Sequence, residues 1–166
     1  MNGPPIAIPP AAVGGAWLLS VTAEDNRTLR EWRNAAADAF FERAPITQED
    51  QQRWFESYLT RREDFLFMVM EADAARGCLG VRMRDGEWDI YNVIRGTRTI
   101  GSRGFLACGL KMLVAFARSR AELPVRAIVL AENPAVLWYE RNGFRIVGWR
   151  NGGILMYWTA TKNTDT

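Results

Sequence analysis

The sequence predicts a single α/β domain of the α+β kind: a mixed, mostly antiparallel twisted sheet with helices on both faces. Three observations predict it. Apolar residues recur at alternating periods of two and 3.6, in the order strand, two helices, three strands, helix, strand, helix, two strands. Only one connection, the helix between Ile94 and Val125, is a crossover joining parallel neighbours. Finally, Val125 to Phe144 reads as a buried strand, a sharp turn, a short helix and the start of a new strand. A chain of 166 residues with 48% apolar content is long enough to bury one sizeable core.

The elements follow in order. Residues 1–15, MNGPPIAIPPAAVGG, lack a basic n-region and are broken by four prolines, so they read as a flexible Pro-rich leader rather than a signal peptide. The domain is expected over 16–160, with 161–166 as a polar tail. Ala16 to Val21 is the first strand. Thr22 and Asp25 have capping-box spacing before a helix whose Leu29, Trp32, Ala36 and Phe40 share a face. Thr47 to Asp50 repeats that start for a second helix carrying Trp54, Phe55, Tyr58 and Leu59. Phe65 to Glu71 is a buried strand. Leu79 to Arg84 and Glu87 to Ile94 form a hairpin through Asp85-Gly86. Phe105 to Arg118 is a helix with a broad apolar stripe. After Val125 to Leu130, Asn133 caps a helix with Pro134 in its first position, and Asn142-Gly143 ends it. Phe144 to Trp149 and Ile154 to Thr159 close the chain as a hairpin through Asn151-Gly152.

Composition excludes several chemistries. There is no histidine, which removes His-based acid–base catalysis, Ser-His and Cys-His nucleophiles and His-ligated metals. Cys78 and Cys108 form no metal-spaced pair, so no metal site is expected and a reducing cytoplasm fits. A net charge of +2 is too mild to argue for nucleic acid, and no apolar run approaches a membrane span. Gly96 to Ser102 imitates a P-loop frame without its lysine, so nucleotide triphosphate binding is not expected there.

Asn133, Ala135, Leu137, Tyr139, Gly143 and Phe144 resemble the N-x-A-x-x-x-Y-x-x-x-G-F signature near the C-terminal end of the GNAT superfamily of acetyl-coenzyme A-dependent N-acyltransferases. The element order from 16 to 160 is also the order of that family. The resemblance implies a splayed parallel strand pair in the middle of the sheet, with the pantetheine arm of acetyl-CoA in the gap. The segment Leu29 to Glu71, through Trp32-Arg33-Asn34, Pro45-Ile46-Thr47 and Trp54-Phe55, looks more weakly like the subset acting on nucleotide-linked amino sugars. Ribosomal-protein N-terminal acetyltransferases share a looser version of it.

Site residues follow from the same resemblance. Gly104 matches the central glycine of the Q/R-x-x-G-x-G/A pyrophosphate loop and Arg103 its basic neighbour, whereas Gly101 and Leu106 depart from it. Ser102, Arg103, Gly104, Phe105 and Leu106 are therefore the expected phosphate loop, feeding a helix N-terminus. Val93 and Ile94 lie on the central strand whose backbone N–H polarises the thioester carbonyl, and Asn133, Leu137 and Tyr139 face the pantetheine. Tyr139 matches the general acid that protonates the departing thiolate. Asp89, then Glu87, are the candidate bases, and their bland reading is a pair of solvated carboxylates flanking a turn. The implied reaction is acetyl transfer from acetyl-CoA to the primary amine of a small molecule. A protein N-terminus, or a non-catalytic acyl-CoA-binding module, is the alternative, and a homodimer is left open. If the acceptor carries phosphates, Arg27, Arg30 and Arg33 on the first helix are available to them.

Overall fold

The computed structural model describes residues 4–11, 15–96 and 104–160. Its strands are β1 (Ala7–Ile8), β2 (Trp17–Ser20), β3 (Asp64–Glu71), β4 (Ala74–Arg84), β5 (Glu87–Arg95), β6 (Val125–Val129), β7 (Phe144–Arg150) and β8 (Gly153–Trp158). The helices are α1 (Asn26–Ala35), α2 (Gln48–Thr60), α3 (Phe105–Arg120) and α4 (Ala135–Arg141). One sheet holds all eight strands in the order β1-β2-β3-β4-β5-β6-β8-β7. Every neighbouring pair is antiparallel except β5 with β6.

Local chemistry accounts for the boundaries. The Asp25 carboxylate accepts the Thr22 N–H at 2.8 Å, and a single 3₁₀ turn, Ala23–Asp25, leads into α1. At α2 the Thr47 hydroxyl accepts the Asp50 N–H at 3.1 Å while Asp50 takes the Thr47 N–H in return. Asp85 and Gly86 both adopt positive φ, 53° and 76°, the geometry a two-residue hairpin needs. Asn133 Oδ1 accepts the Ala135 N–H at 2.9 Å, so the expected cap of α4 is made.

Strand alternation sorts the core onto the two faces of the sheet. Phe67, Val69, Leu79, Val81, Trp88 and Ile90 meet α3 and α4 on one face. Leu66, Met68, Cys78 and Ile94 meet α1 and α2 on the other. Ile90 and Ile94 are four residues apart and should share a face. They do not, because β5 bulges between them. Gly80 faces Tyr91 and Cys78 faces Ile94, so one residue of β4 spans two of β5. Asn92 sits in the bulge at φ 49°. The inserted residue swaps the faces of everything after it.

Some boundaries differ from the sequence reading. The helix expected to carry Leu29, Trp32, Ala36 and Phe40 on one face ends at Ala35, and Phe40 follows a 3₁₀ turn, Ala37–Ala39, in extended backbone. Part of the expected leader is sheet: Ala7 and Ile8 pair with Leu19 and Leu18, and Ile6 packs on the core. The β4 strand also begins at Ala74, before the expected Leu79, because β3 is long enough to pair with it throughout.

Candidate active site

The central parallel pair is joined at one end only. Trp88, Asp89 and Ile90 pair with Val125, Arg126 and Ala127; beyond that, β5 runs on to Arg95 and β6 to Val129 without pairing to each other. The bulge at Asn92 turns β5 away, and a bulge leaves its extra residue outside the ladder. The split opens on a cavity of about 670 Å³. Asn92, Val93 and Ile94 line it from β5, Ile128 and Val129 from β6, and Ala135 and Tyr139 from α4. Phe40, Phe41, Ile46 and Trp54 line it from α2 and the segment before it.

That roof is fixed by amide chemistry. Asn34 Oδ1 accepts the Ile46 N–H at 2.8 Å, and its Nδ2 donates to the Ile46 carbonyl at 3.0 Å. The Arg33 guanidinium stacks 3.4 Å above the Phe40 ring and donates to the Glu42 carbonyl. Asn133 Nδ2 donates to the Ala39 carbonyl at 3.3 Å, tying the roof to the start of α4.

The paired end of the split is pinned by charge. Arg126 is 1% exposed; its Nη2 reaches Asp85 at 3.1 Å, its Nη1 reaches Glu87 at 2.9 Å, and its Nε lies 3.5 Å from Asp89. Glu87 also accepts from the Tyr157 hydroxyl at 2.7 Å and pairs with Arg150 at 3.5 Å. Its carboxylate belongs to this pin, and it does not line the cavity. Asp89 does line it, with Oδ2 held by Arg82 Nε at 3.1 Å.

Tyr139 faces the cavity from α4, its ring edge-on to Trp138 and Phe144. Burial, and then the charge of Asp89, push its hydroxyl well above the ordinary tyrosine value, so the proton is firmly held. The split therefore brings together Tyr139, Asp89, Val93, Ile94 and Asn133. Leu137 is 59% exposed and stays outside the cavity. Gly104 takes φ +79°, which favours glycine, immediately before α3. Phe105 is buried beneath the Arg95 guanidinium, and Leu106 packs on the core. Gly101, Ser102 and Arg103 lie outside the described residues. Of the first-helix arginines, Arg33 lines the cavity, while Arg27 is exposed and paired with Glu31.

Sequence reasoning missed the wall formed by Arg82 and Tyr91, with Asp64 behind it. The Tyr91 hydroxyl donates to Asp64 Oδ1 at 2.5 Å, and Arg82 lies 4.4 Å above the Tyr91 ring. The ring rests on Gly80, where an added Cβ would come within 2.6 Å of it. The signal was present: a two-residue turn at Asp85-Gly86 fixes Arg82 opposite Asp89 and Gly80 opposite Tyr91.

A split parallel pair and a helix tyrosine at the cavity are what the sequence motif implies, and the bulge in β5 adds the means by which the pair opens. The family model for the acetyltransferase (GNAT) domain matches residues 17–145. The chain belongs to the GNAT acetyltransferase family. It is an acetyl-CoA-dependent N-acetyltransferase, and the GNAT fold extends over the solved structures it is similar to. One is the aminoglycoside acetyltransferase AAC(6')-Ib in complex with paromomycin and acetyl-CoA, at 18% identity and TM-score 0.74, covering 92% of this chain and 99% of that one. A second is RimL, the ribosomal L7/L12 alpha-N-protein acetyltransferase, in complex with coenzyme A, at 14% identity and TM-score 0.71, covering 92% and 96%. A third is the PaiA N-acetyltransferase of Thermoplasma acidophilum in complex with coenzyme A, at 13% identity and TM-score 0.68, covering 87% and 99%. No curated protein sequence matches this GNAT chain significantly. Among the described residues, no helix is long and apolar enough to cross a membrane.

Proposed function

We propose that this GNAT protein acetylates the primary amine of a small molecule, with a nucleotide-linked amino sugar as the first class to assay. The observation that carries the reading is the roofed cavity, whose two walls bring Tyr139 and Asp89 to the same space as the open edge of β5. A roof stapled at Asn34 and tied at Asn133 suits a compact acceptor better than a protein terminus. Two free cysteines, Cys78 and Cys108, support a reducing cytoplasm as the setting.

Residue roles follow from the chemistry. The thioester carbonyl needs an N–H donor where negative charge develops, and the bulge at Asn92–Val93 is where β5 has one to spare. The neutral amine attacks the carbonyl carbon, and its nitrogen then sheds a proton to Asp89, directly or through a water. The carbon–sulfur bond breaks as Tyr139 protonates the departing thiolate. Return of the first proton from Asp89 to Tyr139 restores the enzyme, so the amine's proton ends on the thiol. Burial makes Tyr139 a weaker acid, and the same burial raises the proton affinity of a thiolate beside it. On the cofactor side, Gly104 offers a close approach before α3. A pantetheine contact from the Asn133 amide would displace its bond to Ala39, since its other end already caps α4.

The test is binding and turnover together. Acetyl-CoA at about a hundred times its dissociation constant should add roughly 2.7 kcal/mol of stability and raise the melting temperature by a few degrees. Thiol release should then appear with amino-sugar nucleotides and not with peptide N-termini. Efficient acetylation of peptides alone would replace the small-molecule acceptor by a protein one.

A further inference from the structure

A second, open cleft of about 410 Å³ adjoins the cavity, and Arg82 and Arg84 line both. Arg61, Arg62, Glu63 and Asp64 line its other side. Its charges do not balance. Glu63 is held by Arg120 at 2.7 and 3.0 Å. Asp64 is held by Arg61 at 3.2 Å and by the Tyr91 hydroxyl. Asp89 holds Arg82, and Arg126 takes Asp85 and Glu87 beyond the turn. Every nearby carboxylate is therefore committed. Among the described residues, neither Arg62 nor Arg84 makes an ion pair or a side-chain hydrogen bond.

Arg62 and Arg84 also border the same cleft. Asp64 faces Arg82, and the Met83 N–H bonds the Glu63 carbonyl at 2.8 Å, so the two chains are held together one residue short of Arg62 and Arg84. Like charges bordering one cleft repel, and an anion between them removes that cost. Arg62 alone could be explained by the C-terminal end of α2, where a cation is favoured. Arg84 ends a strand and has no such explanation.

We propose that Arg62 and Arg84 form an anion clamp for a phosphate group of the acceptor, held next to the cavity in which its amine reacts. The clamp rests on the small-molecule reading and narrows it to phosphate-bearing amines. It is distinct from the cofactor end of the site. Arg84 pairs with Glu87 at the start of β5, whereas Phe105, at the start of α3, lies by Gly77 and Arg95 at its far end. About 25 Å of strand separates those ends. Arg84 is only two residues along β4 from Arg82, the partner of Asp89, or about 7 Å.

The test uses inorganic pyrophosphate, titrated calorimetrically into the full-length protein saturated with coenzyme A. The protein should bind it, and Arg62→Ala/Arg84→Ala should weaken binding by about tenfold or more. The Arg62→Lys/Arg84→Lys variant should recover part of the loss, with melting temperatures confirming that both variants fold. No binding, or binding unchanged in the alanine variant, overturns the clamp whatever the enzyme acetylates. Arginine-dependent binding combined with no thiol release from any phosphate-bearing amine would leave an anion site standing and overturn the acceptor assignment. Phosphate-bearing amines turned over with a lower KM than their phosphate-free counterparts, an advantage lost in the alanine variant, is the result expected.

Discussion

The two halves of β5 have the same neighbour on one side and opposite fates on the other. From Trp88 to Ile90 the strand is paired with both β4 and β6, and Arg126 holds the carboxylates of Glu87 and Asp89 at that end. From Tyr91 to Arg95 it keeps β4, loses β6, and becomes the wall of a cavity. The first half is closed by burial and charge pairing. The second is opened by one inserted residue at Asn92, which both bends the strand and exchanges its faces. A site can thus be made by interrupting a sheet while leaving the sheet's anchor intact.

The largest effect should come from breaking the closed half. Trp88 is fully buried, and its indole N–H donates to the Ala121 carbonyl at 2.9 Å. Trp88→Ala should cost about 3–5 kcal/mol in urea unfolding. A loss under 1 kcal/mol would mean that this end of the split is not what holds the sheet together.

The open half should respond in rate. Tyr139→Phe keeps the ring against Trp138 and Phe144 and removes the proton donor. The kcat should fall by about 10²–10⁴, nearer the lower figure if water substitutes, with the acetyl-CoA KM little changed. Near-normal kcat under conditions where chemistry limits the rate would return Tyr139 to packing.

Alkaline pH should weaken both halves. Burial pushes Tyr58 and Cys78 up to about 12, from ordinary values of 10.0 and 9.0. Tyr91 and Tyr139 are also raised, chiefly by burial. The folded protein therefore holds these protons after the unfolded chain has released them. Their contribution is fully present below about pH 9 and is lost as pH climbs through 10 towards the raised values. Melting temperatures should fall over pH 9–11, and Tyr58→Phe should flatten part of that slope. A flat profile would show that these groups are solvated.

The smallest effect tests the bulge itself. Asn92→Ala places an ordinary side chain at φ 49° and should cost about 1–2 kcal/mol, whereas Asn92→Gly should be nearly neutral for stability. Equal stability of the two variants would show that the bulge relaxes without strain.

The sequence made the element order, both capping boxes, both hairpin turns and the α4 cap legible, because each is written in neighbouring residues. The hairpin register was legible too, from Arg84–Glu87 up to Gly80–Tyr91. It stopped being legible at Asn92. Period-two reading places Ile94 beside Ile90, and nothing local to Asp89–Arg95 announces an extra residue. The strand in the leader was hidden for the opposite reason: a two-residue strand within a three-residue stretch between prolines carries no periodicity, and its partner lies in β2. Glu87 and Asp89 looked equivalent in sequence, two residues apart on one strand. Arg126 separates them: from 37 residues beyond Asp89, it claims Glu87 for the pin and leaves Asp89 at the cavity edge.

Asn34 shows how residue identity can matter to an enzyme without chemistry. Its amide offers Ile46 one donor and one acceptor, as a neighbouring peptide group would. Aspartate has the same shape and keeps the acceptor, but sets an oxygen against the Ile46 carbonyl 3.0 Å away. Glutamine keeps both groups and reaches too far. In a mutational screen scored only by turnover, position 34 would therefore look as intolerant as a reacting residue. Yet Asn34 does not line the cavity. Its intolerance would report the shape of a roof, and only the comparison of aspartate with alanine at that position would separate scaffold from chemistry.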